Sequence, residues 1–183
     1  SWFKKLLALH VPDRLAPTRA RALHHAGELA GQLAADGQAA AWIDEARRLA
    51  RESGDMGTLA WSLCGAYFSE PNTEQAVARL EEGLAIFQTL EIPLGLSHCR
   101  RRLAGCAMSQ GRHSYAINLL AQALNQDRQA GDDLAVAWDL CFRGAALWSE
   151  HHRPGDVIPL FRESMALFAS LGDIRGRTHP LVL

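Results

Sequence analysis

Histidine and cysteine are the residues of this sequence that could carry catalytic or metal chemistry. The chain has eight histidines, and two adjacent pairs occur at His24-His25 and His151-His152. Neighbouring side chains on a helix point about 100° apart, so an adjacent pair cannot hold one ion through both rings. The spacings HxxxH and HExxH do not occur. We therefore expect no catalytic histidine, and no serine or cysteine nucleophile signature is present either.

The four cysteines lie inside apolar helical patterns, and none forms a CxxC pair. Cys99 and Cys106 would share a helix face, and His98 or His113 could join them, but the loops that usually carry zinc ligands are missing. A free buried cysteine behaves as a small hydrophobe and is typical of a cytoplasmic protein. We expect no metal, no cofactor and a cytoplasmic location. The remaining two cysteines are Cys64 and Cys141.

The run "CRRRLAGC" (99–106) is the most unusual cluster of charge. One interpretation places the three arginines on a solvent-facing arc, with their stems covering apolar neighbours. The other places at least one arginine in a groove, where its guanidinium grips a carboxylate or phosphate through two hydrogen bonds. The sequence leaves both open. The net charge of −1 argues against direct contact with nucleic acid.

The composition indicates a helical protein. The chain has 183 residues, of which 48% are hydrophobic and 21% charged, enough for one core or one repeat array. β-Branched residues are scarce, no strand pattern occurs, and no stretch approaches the ~20 apolar residues of a membrane span. "WFKKLLALHV" (2–11) is predicted to form an amphipathic helix rather than a signal peptide.

A helix-ending turn recurs along the chain at 37, 40 and 41 residues, a period typical of helical solenoids. Glycine can adopt the left-handed conformation that ends a helix, and the following aspartate can cap the next one. The second turn departs from this pattern. The four turns are Gly54-Asp55, Glu91-Ile92, Gly131-Asp132 and Gly172-Asp173.

The helix before each turn repeats a stripe of a small or branched, a bulky and a small residue. A second helix precedes each of these across a short polar turn, so the unit is a helical hairpin. We expect eight main helices in four hairpins, with the last helix beginning after Asp156 because Pro159 disfavours an earlier start. The first helices are aligned on Leu59, Cys99 and Leu140. The stripes are Ala39-Ile43-Ala46, Ala76-Leu80-Gly83, Ala116-Leu120-Ala123 and Val157-Phe161-Ser164.

This pattern resembles the tetratricopeptide repeat (TPR), and the positions Ala104, Ala116, Leu120 and Ala123 fit that repeat well. The longer period and the turn "LFASLGDIRG" (167–176) resemble the arrays of bacterial signal-transduction ATPases and of LuxR- and AfsR-type transcriptional regulators. The resemblance covers nearly the whole chain. It implies an all-α, right-handed superhelical solenoid that acts as a sensor or interaction module. No P-loop and no helix-turn-helix segment is found in these residues.

The repeat pattern predicts one domain, 1–183, that is a fragment of a larger protein. At the carboxyl end, Phe161, Met165, Leu167 and Phe168 would lack a covering hairpin, which predicts self-association through this edge. The predicted units are 19–55, 56–91, 92–132 and 133–173, followed by the start of a fifth at 174–183.

In repeats of this class the first helices line the concave face, which places a candidate groove there. Aromatic, basic and acidic side chains together suit a protein, a peptide or a small polar effector. Packing of Trp61 and Phe142 against the next hairpin is the alternative, and Arg102 is expected on the side of its helix opposite Arg101. The candidate groove residues are Arg21, His24, Trp61, Phe68, His98, Arg101, Met108, Asp139 and Phe142.

The sequence therefore predicts a non-catalytic binding module with no nucleic-acid or membrane contact of its own. Two other functions stay open. A structural spacer between domains would have an unused groove, and a helical-array enzyme would bring titratable groups with shifted pKa values together in a pocket.

Overall fold

The computed structural model describes residues 12–32, 38–65, 74–173 and 176. This part of the chain holds a short 3-10 helix at Asp13–Leu15, eight α-helices and no strand, which confirms the all-α prediction. The predicted helix at 2–11 and the groove residue Phe68 lie outside it. The helices are α1 (Ala16–Gln32), α2 (Gln38–Ser53), α3 (Met56–Cys64), α4 (Glu74–Thr89), α5 (Pro93–Ser109), α6 (His113–Ala130), α7 (Asp133–His151) and α8 (Pro154–Ser170).

The chain divides into two compact units, Ser1–Gly95 and Leu96–Leu183. In the first unit α1 packs on α2, α2 on α3 and α3 on α4, while α1 also contacts α3. In the second unit α6 packs on α7 and α7 on α8. Hydrogen bonds of Arg100 to Gln126 and of Arg101 to Asp127 connect α5 to α6. Consecutive helices thus pair as hairpins in both units, as the alternating pattern of polar turns predicts. The hairpins are α1–α2, α3–α4, α5–α6 and α7–α8.

A left-handed residue ends the second helix of every hairpin. Gly54, Gly131 and Gly172 have φ between 70° and 72°, and Glu91 takes the same place with φ 53°. The residue after each one donates its N–H to the carbonyl five positions earlier, a Schellman bond that satisfies a helix-end acceptor. These bonds run from Asp55 to Ala50, Ile92 to Phe87, Asp132 to Asp127 and Asp173 to Phe168, with distances of 3.0–3.1 Å.

The aspartates after the glycines cap the following helix, as the sequence predicts. Asp55 accepts from the Thr58 backbone N–H at 3.1 Å, and Asp132 accepts from that of Ala135 at 2.9 Å. At the second turn Ile92 has no side-chain oxygen that could accept a hydrogen bond from the next helix. Glu91 adopts a left-handed conformation that costs a non-glycine residue roughly 1 kcal/mol. The second turn keeps the backbone geometry of the others without their side-chain cap.

The predicted stripes form the core of the hairpins. Every stripe residue is buried except Phe161, which is half-buried. The stripe also extends four residues further than predicted, to the residue whose carbonyl accepts the Schellman bond. That residue is Ala50, Phe87, Asp127 or Phe168, each at most 1% exposed.

The residue at the end of each stripe is matched in size to the residue four positions after the left-handed one. Gly95 lies against the Phe87 ring, and Gly176 lies against the Phe168 ring, so closely that a Cβ on either glycine would overlap the ring. Where the stripe ends in a smaller side chain, the matching position carries a Cβ. Those pairs are Ala50 with Thr58 and Asp127 with Ala135.

Counting from the left-handed residue corrects the alignment of the first helices. Leu59, which lies five residues after Gly54, corresponds to Leu96 after Glu91 and to Val136 after Gly131. The predicted alignment with Cys99 and Leu140 is wrong by three to four residues. It followed a constant period, whereas the backbone turn sets where each helix begins.

One expectation about the last hairpin is wrong, and a second is wrong in part. Helix α8 begins at Pro154 and includes Pro159, because the loss of one hydrogen bond near a helix start is outweighed by burial of residues such as Val157. The expected lack of cover is wrong for two apolar residues of this helix, whereas Ile158 is 45% exposed. Phe168 is buried, and Leu167 packs against the cluster of Leu124, Val136 and Leu140. Phe161 and Met165 are half-buried, and self-association stays a prediction.

The cysteines do not all behave as predicted. Cys106 and Cys141 are buried and free, and burial raises the pKa of the Cys141 thiol to about 12. Cys64 and Cys99 are disulfide-bonded, so the expectation of free thiols is wrong for them. An apolar helical pattern does not show whether a thiol is free or oxidised. None of the described helices combines the length and apolar character that crossing a membrane requires.

Replacing Gly95 by alanine tests the size match at the second turn. The added Cβ would overlap the buried Phe87 ring, so we expect Gly95→Ala to lower the free energy of unfolding by about 1–3 kcal/mol. In Gly57→Ala, the matched control in the first turn of α3, the nearest atom is 3.7 Å from the new Cβ, and no loss is expected. Urea denaturation measures both. Equal losses, or no partial recovery when Phe87→Leu is added to Gly95→Ala, would contradict the size match.

Candidate functional site

The predicted groove residues of the first unit mostly pack as a series of rings. His24 is buried, and its ring centroid lies 6.5 Å from that of Trp61. Trp61 in turn contacts Phe87 edge-on at 4.8 Å. Arg21 is 62% exposed, with its Nε 3.4 Å from the Asp55 carboxylate. The ring contacts of Trp61 are those of the packing alternative. Arg21 is the most accessible of the three groove residues that the structure describes in this unit.

In the second unit, two predicted groove residues from different helices come together. Arg101 on α5 donates from Nε to Oδ1 of Asp139 on α7 at 2.5 Å. Its Nη2 donates to Oδ2 of Asp127 on α6 at 2.6 Å. The Arg101 side chain is 16% exposed, and those of Asp127 and Asp139 are 1% and 0% exposed. We call these three residues the Arg101 cluster.

Burial dominates the electrostatics of the Arg101 cluster. Removal from water raises the pKa of Asp139 to about 7, because a carboxylate is poorly stabilised away from solvent. Arg101 opposes this rise, and the neighbouring carboxyl of Asp127 adds to it by repulsion and hydrogen bonding. Asp139 Oδ2 is also buried, and it has no hydrogen-bond partner among the described residues. The cluster therefore contains two carboxyl groups and a single guanidinium.

Asp127 is the functional residue that the sequence analysis missed. In the second and fourth hairpins, a tryptophan of the first helix contacts the phenylalanine at the end of the stripe edge-on. The same two positions of the third hairpin carry His98 and Asp127. A carboxylate in a stripe that otherwise ends in phenylalanine or alanine is a visible signal once the stripe is extended by four residues. The aromatic pairs are Trp61–Phe87 and Trp138–Phe168, with ring centroids 4.8 and 5.0 Å apart.

A second group of side chains lies along α5 and α7, seven and eleven residues after the left-handed residue. On α5, Arg102 Nε donates to His98 Nε2 at 2.8 Å. On α7, Trp138 and Phe142 stack with centroids 5.6 Å apart and ring planes 24° apart. All four side chains are half-buried. We call them the α5–α7 face, since the contact of Arg101 with Asp139 joins these two helices.

This geometry corrects the expected orientation of the arginine run. Arg102 was expected opposite the groove side, yet it shares a helix face with the predicted groove residue His98, because residues four apart lie above one another. Arg101 is turned toward the buried carboxyls instead. Arg100 Nη1 donates to Gln126 Oε1 at 2.5 Å, and burial lowers the pKa of Arg100. None of the three arginines is fully exposed.

The remaining candidates are the groove residue Met108 and a possible metal site. Met108 is half-buried near the end of α5, six residues after Arg102 of the α5–α7 face. Within the described ranges, no group of three or more histidine, cysteine, aspartate or glutamate side chains is placed to hold a metal ion. The polar chemistry of the second unit is therefore that of the Arg101 cluster and the α5–α7 face.

Removing the guanidinium of the Arg101 cluster tests its structural weight. We expect Arg101→Met to lower the free energy of unfolding by about 3–5 kcal/mol at pH 7.5, because two buried carboxyl groups lose their cation. Arg128→Met is the matched control. It removes an ion pair of the same length, 2.6 Å to Glu163, whose side chains are 51% and 47% exposed, and should cost less than about 1 kcal/mol. Urea denaturation gives both values, and similar losses would contradict a buried cluster.

Similarity to known proteins adds no further assignment to this site. No protein-family model and no curated protein matches the chain. The recurrent left-handed turn, the buried stripe and the two groups of side chains in the second unit are therefore the observations from which its function is argued.

Proposed function

We propose that this chain is a non-catalytic binding module, built as a TPR-like solenoid, that holds a peptide, a protein segment or a small polar effector on its first helices. Following the resemblance of its turns, we also propose that it is the sensor or interaction array of a larger bacterial transcriptional regulator or signalling ATPase in the cytoplasm. The fourfold turn, with the same backbone bond and the same buried stripe, supports the array.

The α5–α7 face is the observation that carries the binding proposal. It consists of a forked cationic donor, Arg102, on α5 and a stacked aromatic pair, Trp138 and Phe142, on α7, and the hydrogen bond of Arg101 to Asp139 links these two helices. A guanidinium binds a carboxylate strongly, and aromatic rings offer apolar area with little loss of conformational entropy. The ligand chemistry that fits is a carboxylate next to an apolar side chain, as at the end of a peptide.

The buried cluster argues against the enzyme alternative. The carboxyl whose pKa is raised to about 7, that of Asp139, is 0% exposed and cannot reach a substrate in this conformation. A general acid or base must come within hydrogen-bond distance of the atom it protonates. A spacer is the remaining alternative, and it has no need of ligand contacts on the α5–α7 face.

A peptide selection with matched variants tests the proposal. Random peptides with free carboxyl termini are displayed against the chain, and the dissociation constants of selected peptides are measured by calorimetry. We expect Arg102→Ala to weaken binding about tenfold or more, since loss of a charge-assisted contact corresponds to ~1.4 kcal/mol or more. Amidation of the peptide terminus should weaken binding to a similar extent.

The control is Arg128→Ala, which removes an exposed arginine of α6 that pairs with Glu163 on α8. It should leave the dissociation constant within about twofold. Arg101→Ala is unsuitable as a binding test, because it uncovers buried carboxyls and would confuse binding with stability. Failure to select any peptide, or equal affinities of the Arg102 and Arg128 variants, would favour the spacer.

A further inference from the structure

The Arg101 cluster buries more negative than positive charge. Asp127 and Asp139 are 1% and 0% exposed, and Arg101 is the cation bonded to both of them. With both carboxyls ionised the cluster has a net charge of −1. An uncompensated charge in the interior is strongly unfavourable, and a proton on one carboxyl removes it.

The hydrogen bonds indicate which oxygen takes that proton. Arg101 donates to Oδ1 of Asp139 and to Oδ2 of Asp127, so these oxygens act as acceptors. Oδ2 of Asp139 is buried and receives no hydrogen bond from the described residues. A protonated Oδ2 becomes a donor, and the Asp127 carboxyl, which is near enough to raise the pKa of Asp139, is the acceptor available to it. One proton therefore satisfies the remaining oxygen and balances the charge.

Two charged side chains shift the pKa of Asp139, and Arg101 is the cation of the two. Arg101 faces it from α5 and Asp127 from α6. Arg143 lies four residues further along α7 with its Nε buried, and it is not among the groups that shift this pKa. From α8, the Ser164 hydroxyl donates to the Ala137 carbonyl at 2.8 Å. Glu163 on α8 pairs instead with Arg128 at the surface. On α5, Arg102 is bound to His98.

We propose that Asp127 and Asp139 share one buried proton, and that its release as the pH rises through neutrality loosens α7 from α5 and α6. The two negative charges then repel across the interface that the proton had joined, with one guanidinium between them. The α5–α7 face lies on the same two helices, so the proton also controls the surface proposed to bind a ligand. The protonation itself does not depend on what the array binds.

The direction of the pH dependence follows from linkage. In the unfolded chain an aspartate releases its proton near pH 4, whereas folded Asp139 keeps it up to about pH 7. Folding therefore takes up one proton between these values. The folding equilibrium constant should fall about tenfold per pH unit across this window, and this contribution should become constant above it. A paired carboxylate with a lowered pKa has the opposite effect.

A titration of the unmodified chain tests the shared proton. The protein is labelled with ¹³C at the aspartate side-chain carboxyls, and the carboxyl shifts are followed by NMR from pH 4 to pH 9. We expect an aspartate signal with a midpoint near 7, in agreement with the pKa of about 7 for Asp139. If every aspartate carboxyl of the folded chain titrates below about pH 5, the proposal is overturned.

Asp139→Asn extends the test to the helix contacts. The side-chain amide is neutral, and it can accept from Arg101 and donate to Asp127 as the protonated carboxyl does. The variant should lose the signal near pH 7, and it should lose the tenfold-per-unit fall in the folding constant. Asp133→Asn, at an exposed site in the first turn of α7, should retain both.

Amide hydrogen exchange, corrected for the intrinsic effect of pH, reports the loosening itself. The protection of the backbone amides of α5, α6 and α7 against exchange should fall above pH 7 in the unmodified chain and in Asp133→Asn. It should stay constant in Asp139→Asn. The same fall in all three proteins would refute the role of the proton in the helix contacts. The titration of the unmodified chain decides the protonation if Asp139→Asn does not fold.

Discussion

The hydrogen bond across each left-handed turn is the constraint on which the rest of this structure depends. It ties the N–H after the left-handed residue to a carbonyl five positions earlier, and so fixes where the next helix starts. The residue that supplies the carbonyl then faces the residue in the first turn of the following helix. That space holds a phenylalanine only where glycine lies opposite, as Phe87 and Gly95 do.

The same constraint explains how the third hairpin tolerates a charge at a core position. The turn at Gly131 keeps the backbone bond of the other turns, so Asp127 is buried whatever its side chain requires. The residue four positions after Gly131 is Ala135, where the turns that follow a phenylalanine carry a glycine. The carboxyl must therefore find its partner on another helix, and Arg101 supplies it from α5. The backbone turn fixes the buried position of Asp127, and the polar cluster forms because this buried carboxyl needs a partner.

Much of the fold could be predicted from the sequence because its signals are local. A glycine that permits positive φ and an aspartate that caps the next helix are readable within a few residues, as at Gly131 and Asp132. The helical stripes are readable over one helix. The site was less predictable, because the direction of three consecutive arginines depends on where α5 starts. An error of three to four residues in the helix alignment exchanged the surroundings expected for Arg101 and Arg102.

Stability alone gives no reason for a polar cluster in the third hairpin. The second and fourth hairpins carry a phenylalanine at the position of Asp127, and its contact with a tryptophan buries apolar area without removing charges from water. Replacing a buried ionic group by apolar residues of similar volume is often neutral or stabilising. An aromatic pair, however, makes the same contact at every pH. The contact through Asp127, Arg101 and Asp139 depends on a proton, and that dependence is the property which this hairpin has and its neighbours lack.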